Sequence, residues 1–213
     1  VIGTEVPFSD SLETAYLIYG GTDLPGFIDL AQLGNRGVRL VGPAGKGDIL
    51  FGNTVSGGGD INGDGYDDFL VAAPNAAPGG VYRAGQVYVY FGGPNLPSQI
   101  RAEDIERYGV LINGFEREAR LGEALAGPGD INGDAYDDLI LASPQKTEDV
   151  AIVFGSPEFR QLGTVNIQDL ERLVLINPGS PGSFGSCSAF VGDVNGDGRE
   201  DLMIGHRFNN ETK

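Results

Sequence analysis

The chain has 213 residues, 40% of them hydrophobic, enough for one sizeable core or an array of modules. Thirty acids against fourteen bases give a net charge of −16, and so acidic a chain lacks the basic surface that nucleic acid requires. The one cysteine, Cys187, excludes an internal disulfide framework and reads as a small buried strand residue. No run is long and apolar enough to cross a membrane, no secretory leader pattern is seen, and Val1 in place of Met predicts a processed product or a piece of something longer.

In chain order, TAYLIYGG at 14–21 reads as a strand with a glycine end. The linker LPGFIDLAQLGNRGVRLVG from Leu24 adds a short helical turn and a V-x-L strand. Phe51-Gly52 then forms an anchor ahead of an acidic loop, GDINGDGYDD from Gly59, followed by the strand FLVAAP and a second strand, GQVYVYFGG at 85–93. The pattern returns. LPSQIRAEDIERYGVLING follows from Leu96, then the anchor Leu121-Gly122, the loop GDINGDAYDD from Gly129, LILASP, and DVAIVFGS at 149–156. FRQLGTVNIQDLERLVLINP from Phe159 leads to Phe184-Gly185, GDVNGDGRED from Gly192 and LMIG. SQIRAEDIERYG is too short for an independent helix and reads as a connecting turn.

The first loop aspartates, Asp60, Asp130 and Asp193, lie 70 and then 63 residues apart. Four short strands per unit of this length predict an all-β fold, a β-propeller of four-stranded blades. The units fall at about 51–112, about 121–176, and about 184–213 completed by 1–42, the last being split between the termini. Three blades are fewer than the four to eight of an ordinary closed propeller. The chain is therefore expected to be a fragment of a longer propeller or part of a homo-oligomer, two copies giving six blades.

Twelve of the thirty acids lie in the three loops, where like charges repel unless a cation sits among them. Aligned, the loops read D-x-N-G-D-G-x-x-D. Positions 1, 3, 5 and 9 carry oxygen ligands: Asp60, Asn62, Asp64 and Asp68; Asp130, Asn132, Asp134 and Asp138; Asp193, Asn195, Asp197 and Asp201. Position 7 (Tyr66, Tyr136, Arg199) offers a backbone carbonyl, and position 6 asks for a sharp turn, met by Gly65 and Gly198. An all-oxygen shell suits Ca²⁺, and about three structural ions would reduce the charge from −16 to −10. Zinc is disfavoured without His or Cys in the loops. The loops are not EF-hands, because the twelfth positions hold Val71, Leu141 and Ile204 rather than an acid. Asp67, Asp137 and Glu200 at position 8 are spare acids.

F-G…G-D-x-N-G-D-G-x-x-D…A-P followed by G-x-V-Y-V-Y-F-G resembles the FG-GAP repeat of integrin α-subunit propellers, and the linkers are similar to those of bacterial and cyanobacterial members. Phe51-Gly52 and Ala73-Pro74 carry the motif most closely; the second unit has Ser143-Pro144, and the third has Gly205-His206 where the proline would stand. The resemblance implies a seven-bladed propeller, structural Ca²⁺ on the loop residues named above, and an exported or cell-surface protein without enzymatic activity, used in adhesion, protein–protein interaction or assembly. The alternative is a carbohydrate-binding or enzyme-associated propeller. Catalytic material is thin: His206 is the one histidine and reads as structural, and Tyr82, Tyr88, Tyr90 and Tyr108 read as packing or as the lining of a sugar site. Asn210-Glu211-Thr212 matches a glycosylation acceptor.

Ala135 stands at position 6 of the second loop, where a left-handed backbone costs a non-glycine residue about 1 kcal/mol or more. The second site is therefore expected to bind Ca²⁺ most weakly. Isothermal calorimetry checks this, and three equal sites would contradict it.

Overall fold

The computed structural model describes residues 2–4, 12–45, 47–144, 149–179 and 183–207. Asn210 and its acceptor triplet lie outside them. Fifteen strands are named in chain order: β1 Ile2–Thr4, β2 Thr14–Ile18, β3 Gly37–Val41, β4 Val55–Gly59, β5 Asp68–Ala73, β6 Gln86–Tyr90, β7 Gln99–Arg101, β8 Gly109–Asn113, β9 Ala124–Ala126, β10 Leu139–Ser143, β11 Asp149–Val153, β12 Thr164–Asn166, β13 Leu173–Ile176, β14 Ser183–Phe190 and β15 Leu202–Arg207. One α-helical turn, α1, spans Ile105–Tyr108.

These strands form four sheets, and the fold is a succession of propeller-type blades. The first sheet has the order β1-β2-β3-β7, the second β12-β8-β6-β5-β4, the third β13-β11-β10-β9, and the fourth is the pair β14-β15. Within each sheet the chain meanders antiparallel, as in β5–β6, where Phe69 pairs with Tyr90 and Ala73 with Gln86. β1–β3 and β14–β15, expected to form one unit divided between the termini, lie in different sheets of this chain.

The central strands show why no sheet stands alone. β5 and β10 are buried at every position, so neither face meets water. Because strand side chains alternate, Phe69, Val71 and Ala73 face the first sheet, while Leu70 and Ala72 face the third. In β10, Leu139 and Leu141 turn back to the second sheet and Ile140 and Ala142 forward to the fourth. Tyr88 and Tyr90 belong to this packing, Tyr90 stacking on Phe69 at 5.4 Å and Tyr88 meeting Phe51 edge-on at 5.2 Å. Tyr82 is exposed, with the Arg83 and Arg117 guanidinium groups over its ring.

Phe51-Gly52 and Leu121-Gly122 stand just before the first strand of their sheets, their glycine N–H groups donating to the carbonyls of Ala72 and Ala142. Two features differ from the sequence expectation. The linkers hold an additional strand: β7 adds in parallel to β3 and β12 in parallel to β8, so each linker strand joins the preceding sheet before its helical turn. Three residues carry too little periodicity to be seen in advance. Cys187 lies on β14 as expected but is exposed, because no sheet covers the outer face of β14–β15 among the described residues.

Successive sheets approach closely at the anchor glycines. A methyl group at Gly122 would lie 2.7 Å from Ala72 Cβ and 2.8 Å from Val87 Cγ2 of the preceding sheet. At Gly185 it would lie 2.4 Å from Val150 Cγ2. Gly122→Ala is expected to cost about 2–4 kcal/mol, combining left-handed strain at φ 88° with overpacking. Gly65→Ala, with the same φ of 88° but open space around it, should cost only about 1–2 kcal/mol. Urea denaturation of the two variants makes the comparison.

Candidate metal centres

Each acidic loop joins the first and second strand of its sheet, and the three fold alike because their carboxylates bind their own backbone. The position-1 carboxylate takes N–H groups across the turn: Asp60 accepts from Asp64 at 2.9 Å and Gly65 at 2.8 Å. Asp130 accepts from Gly133, Asp134 and Ala135, and Asp193 from Gly196, Asp197 and Gly198. Position 5 accepts from the N–H of position 7 in all three, at 3.0 Å for Asp64, 3.1 Å for Asp134 and 3.0 Å for Asp197. Position 9 closes the loop, Asp68, Asp138 and Asp201 accepting from the N–H groups of Ile61, Ile131 and Val194.

The turn at position 6 is left-handed throughout, with φ 88° at Gly65, 70° at Ala135 and 86° at Gly198. Ala135 therefore carries the strain that its sequence position implied.

Position 9 is also the deepest. Asp68 is 2% exposed and Asp138 fully buried. Their second oxygens accept from Gly92 N at 2.8 Å and Gly155 N at 3.0 Å, the glycines that end the third strand of each sheet. Without a cation, burial pushes the Asp68 carboxyl up to about 7 and Asp138 to about 6, against the hydrogen bonds that lower them. Asp193 shows the opposite, its carboxyl held below the usual range by the N–H of Gly198.

Among the described residues no three acidic, His or Cys side chains converge closely enough to hold a metal alone. The donor set has to draw on amide and carbonyl oxygens as well. Asn62 supplies the test: it is 4% exposed, its Nδ2 donates to Asp68 at 2.8 Å, and its Oδ1 is buried without a hydrogen-bond partner. A buried oxygen with no partner among the described residues, in a loop that also carries Asp60, Asp64 and Asp68, is what a hard cation would satisfy. In the first loop the residues that would hold such a cation are Asp60, Asn62, Asp64, the Tyr66 carbonyl and Asp68. In the second and third loops the corresponding oxygens of Asn132 and Asn195 accept from the N–H of Asp134 and Asp197, each at 2.8 Å.

Two arginines lie on position-5 carboxylates. Arg160 pairs with Asp64 at 3.0 Å, and Arg172 pairs with Asp134. Arg172 has a counterpart in Arg107, the linkers reading D-L-E-R and D-I-E-R, whereas Arg160 has none in the other linkers.

The loops also hold one another. The Tyr136 ring lies over Gly63 of the preceding loop, so close that a methyl group there would sit 2.3 Å from Cε1. Arg199 covers Gly133 in the same way, at 3.2 Å. Asp137 and Glu200 donate their N–H groups to the carbonyls of Asp60 and Asp130, both at 3.3 Å. The Asp137 carboxylate accepts from Asp60 N–H at 2.8 Å. Position 8, read as spare, thus joins two sheets in the case of Asp137. The glycine common to all loops at position 4 was the available signal for this stacking.

Residues 51–90 match the FG-GAP repeat family. The chain is an FG-GAP repeat chain of the integrin α-like kind. It is 34% identical over 155 residues to integrin alpha-PS2 of Drosophila melanogaster, covering 68% of this chain and 11% of that protein. Integrin alpha-IIb of Homo sapiens is 31% identical over 166 residues, covering 73% and 14%. Phosphatidylinositol-glycan-specific phospholipase D of Bos taurus is 32% identical over 157 residues, covering 70% and 18%. The FG-GAP chain thus spans less than a fifth of the length of these relatives.

Asp137→Ala removes the acceptor for the half-buried Asp60 N–H and is expected to cost about 1–3 kcal/mol. Asp67→Ala, at the exposed matching position of the first loop, should be close to neutral. Thermal melts of both variants in chelator keep any bound cation out of the comparison.

Proposed function

We propose that this FG-GAP chain is a Ca²⁺-stabilised propeller module, without catalysis of its own, that presents its surface loops for protein–protein interaction or adhesion outside the cell. The observation that carries the reading is the buried, unpartnered Oδ1 of Asn62 among the carboxylates of the first loop. A bound cation would neutralise carboxylates that burial otherwise holds near neutral pH, and Asp60, Asn62, Asp64, Asp68 and their counterparts would hold it. Because the loops interlock from sheet to sheet, binding energy in one loop also strengthens the contact between sheets. Millimolar Ca²⁺ outside cells would keep even weak sites filled.

The His206 ring packs edge-to-face on Phe184 at 5.7 Å, both half-buried. No helix among the described residues is long and apolar enough to cross a membrane. A second reading, a propeller that accompanies an enzyme or binds carbohydrate, is favoured by the similarity to a phospholipase D and by a cavity of about 460 Å³ lined by Gln86, Asn113, Glu103, Glu106 and Thr164.

Calorimetric melts with Ca²⁺ and with EDTA test the main proposal. The transition is expected to fall by many degrees on chelation and to return when Ca²⁺ is restored in excess. An unchanged melt in EDTA would remove Ca²⁺ from the architecture.

A further inference from the structure

The junction of the first and second sheets and the junction of the second and third hold crevices at matching places. Tyr88, the third residue of β6, lines one beside its partner Leu111; Ala151, the third residue of β11, lines the other beside its partner Leu175. Their sizes differ. The first has about 460 Å³ of space and the second about 50 Å³. Two positions of the repeat account for this. Ala102 opens the 3₁₀ turn after β7, where Ile167 opens the turn after β12. Pro43 stands two residues beyond β3, where Phe115 stands two residues beyond β8. Tyr88 is larger than Ala151, but its ring turns away to meet Phe51 at 5.2 Å and Tyr90 at 6.3 Å.

The larger crevice has an aliphatic floor and a polar wall. Ile49, Ala76, Ile105 and Leu111 supply the floor. On the wall, Gln86 Nε2 donates to Asn113 Oδ1 at 2.7 Å, and Gln86 Oε1 accepts from the Tyr88 hydroxyl at 3.4 Å. Asn75 Oδ1 is buried and has no hydrogen-bond partner. Two exposed carboxylates stand at the rim, each held through its Oε1. Glu103 accepts from the Ala44 N–H at 2.9 Å, and Glu106 from the Thr164 hydroxyl at 3.3 Å. Among the described residues no Lys, Arg or His lines the crevice.

We propose that this crevice binds one sugar residue carrying a free amino group, an assignment that rests on the carbohydrate-binding reading of the chain. The space lies within the range of small-molecule sites, about 300–1,000 Å³. Sugar hydroxyls both donate and accept, as the amides of Asn75, Gln86 and Asn113 and the Tyr88 hydroxyl require. A hydroxyl donated to Asn75 Oδ1 relieves the cost of a buried acceptor left alone. An ammonium group donates only, and the rim carboxylates accept only, so the two make charge-assisted hydrogen bonds. The same carboxylates repel an acidic sugar. The aliphatic floor takes the C–H face of the ring.

Titration calorimetry of the chain with glucosamine, glucose, N-acetylglucosamine and ethanolamine tests the inference, at a pH where the amines are protonated. Glucosamine is expected to bind about tenfold or more tighter than each of the others. Ala102→Ile, which copies the residue of the filled crevice, should abolish binding. Glu103→Gln keeps an acceptor for Ala44 and should reduce glucosamine to the affinity of glucose, with unchanged far-UV circular dichroism in both variants. Glucose or N-acetylglucosamine binding as tightly as glucosamine overturns the ammonium contact, and ethanolamine doing so overturns the sugar. Glucosamine binding that survives both substitutions overturns the crevice as the site. If no sugar binds at all, the carbohydrate reading falls with the proposal.

Discussion

Burial of the central strands on both faces is the constraint on which the rest of the structure depends. β5 and β10 are buried on both faces, so the second and third sheets are each enclosed between two neighbours. The anchor glycines follow from this, since a flat close approach of sheets leaves no room for a side chain at Gly122 or Gly185. The linker strands follow too, because a parallel tripeptide such as β7 or β12 covers the outer edge that stacking alone leaves bare.

The acidic loops are a second consequence, placed at one end of the stack where strands one and two must connect. Their carboxylates do two kinds of work. Some fix the turn by accepting backbone N–H groups, as Asp60 and Asp130 do; others are buried where their charge is costly, as Asp68 and Asp138 are. Arg160 and Arg172 offset part of that charge from within the chain for the first two loops. Among the described residues the third loop has no such ion pair, and its acids stand nearer to solvent.

Much of this was legible in the sequence because the repeat shows it three times. The all-β class, the strands that follow each loop and the left-handed turn at Gly65, Ala135 and Gly198 all follow from spacing and residue type. What was not legible is what lies between units. That Tyr136 rests on Gly63, or that Asp137 serves Asp60, depends on how one sheet sits against the next, which no pattern within a unit encodes. Cys187 was misplaced for the same reason: its strand was right, but whether a neighbour covers it is a property of the stack. Arg160, on Asp64, comes from a single linker and leaves no periodic trace.

The stacking of Tyr136 on Gly63 and of Arg199 on Gly133 runs in one direction only, each loop reaching back to the one before it. The second loop therefore carries a key on one side and a lock on the other, and the two, Tyr136 and Gly133, are encoded three residues apart in the same short loop. A gain or loss of part of a unit would separate key from lock, whereas a whole unit could be added or removed and leave every remaining junction matched. Proteins built this way are free to change length in steps of one blade, and each such step moves a complete acidic loop with it.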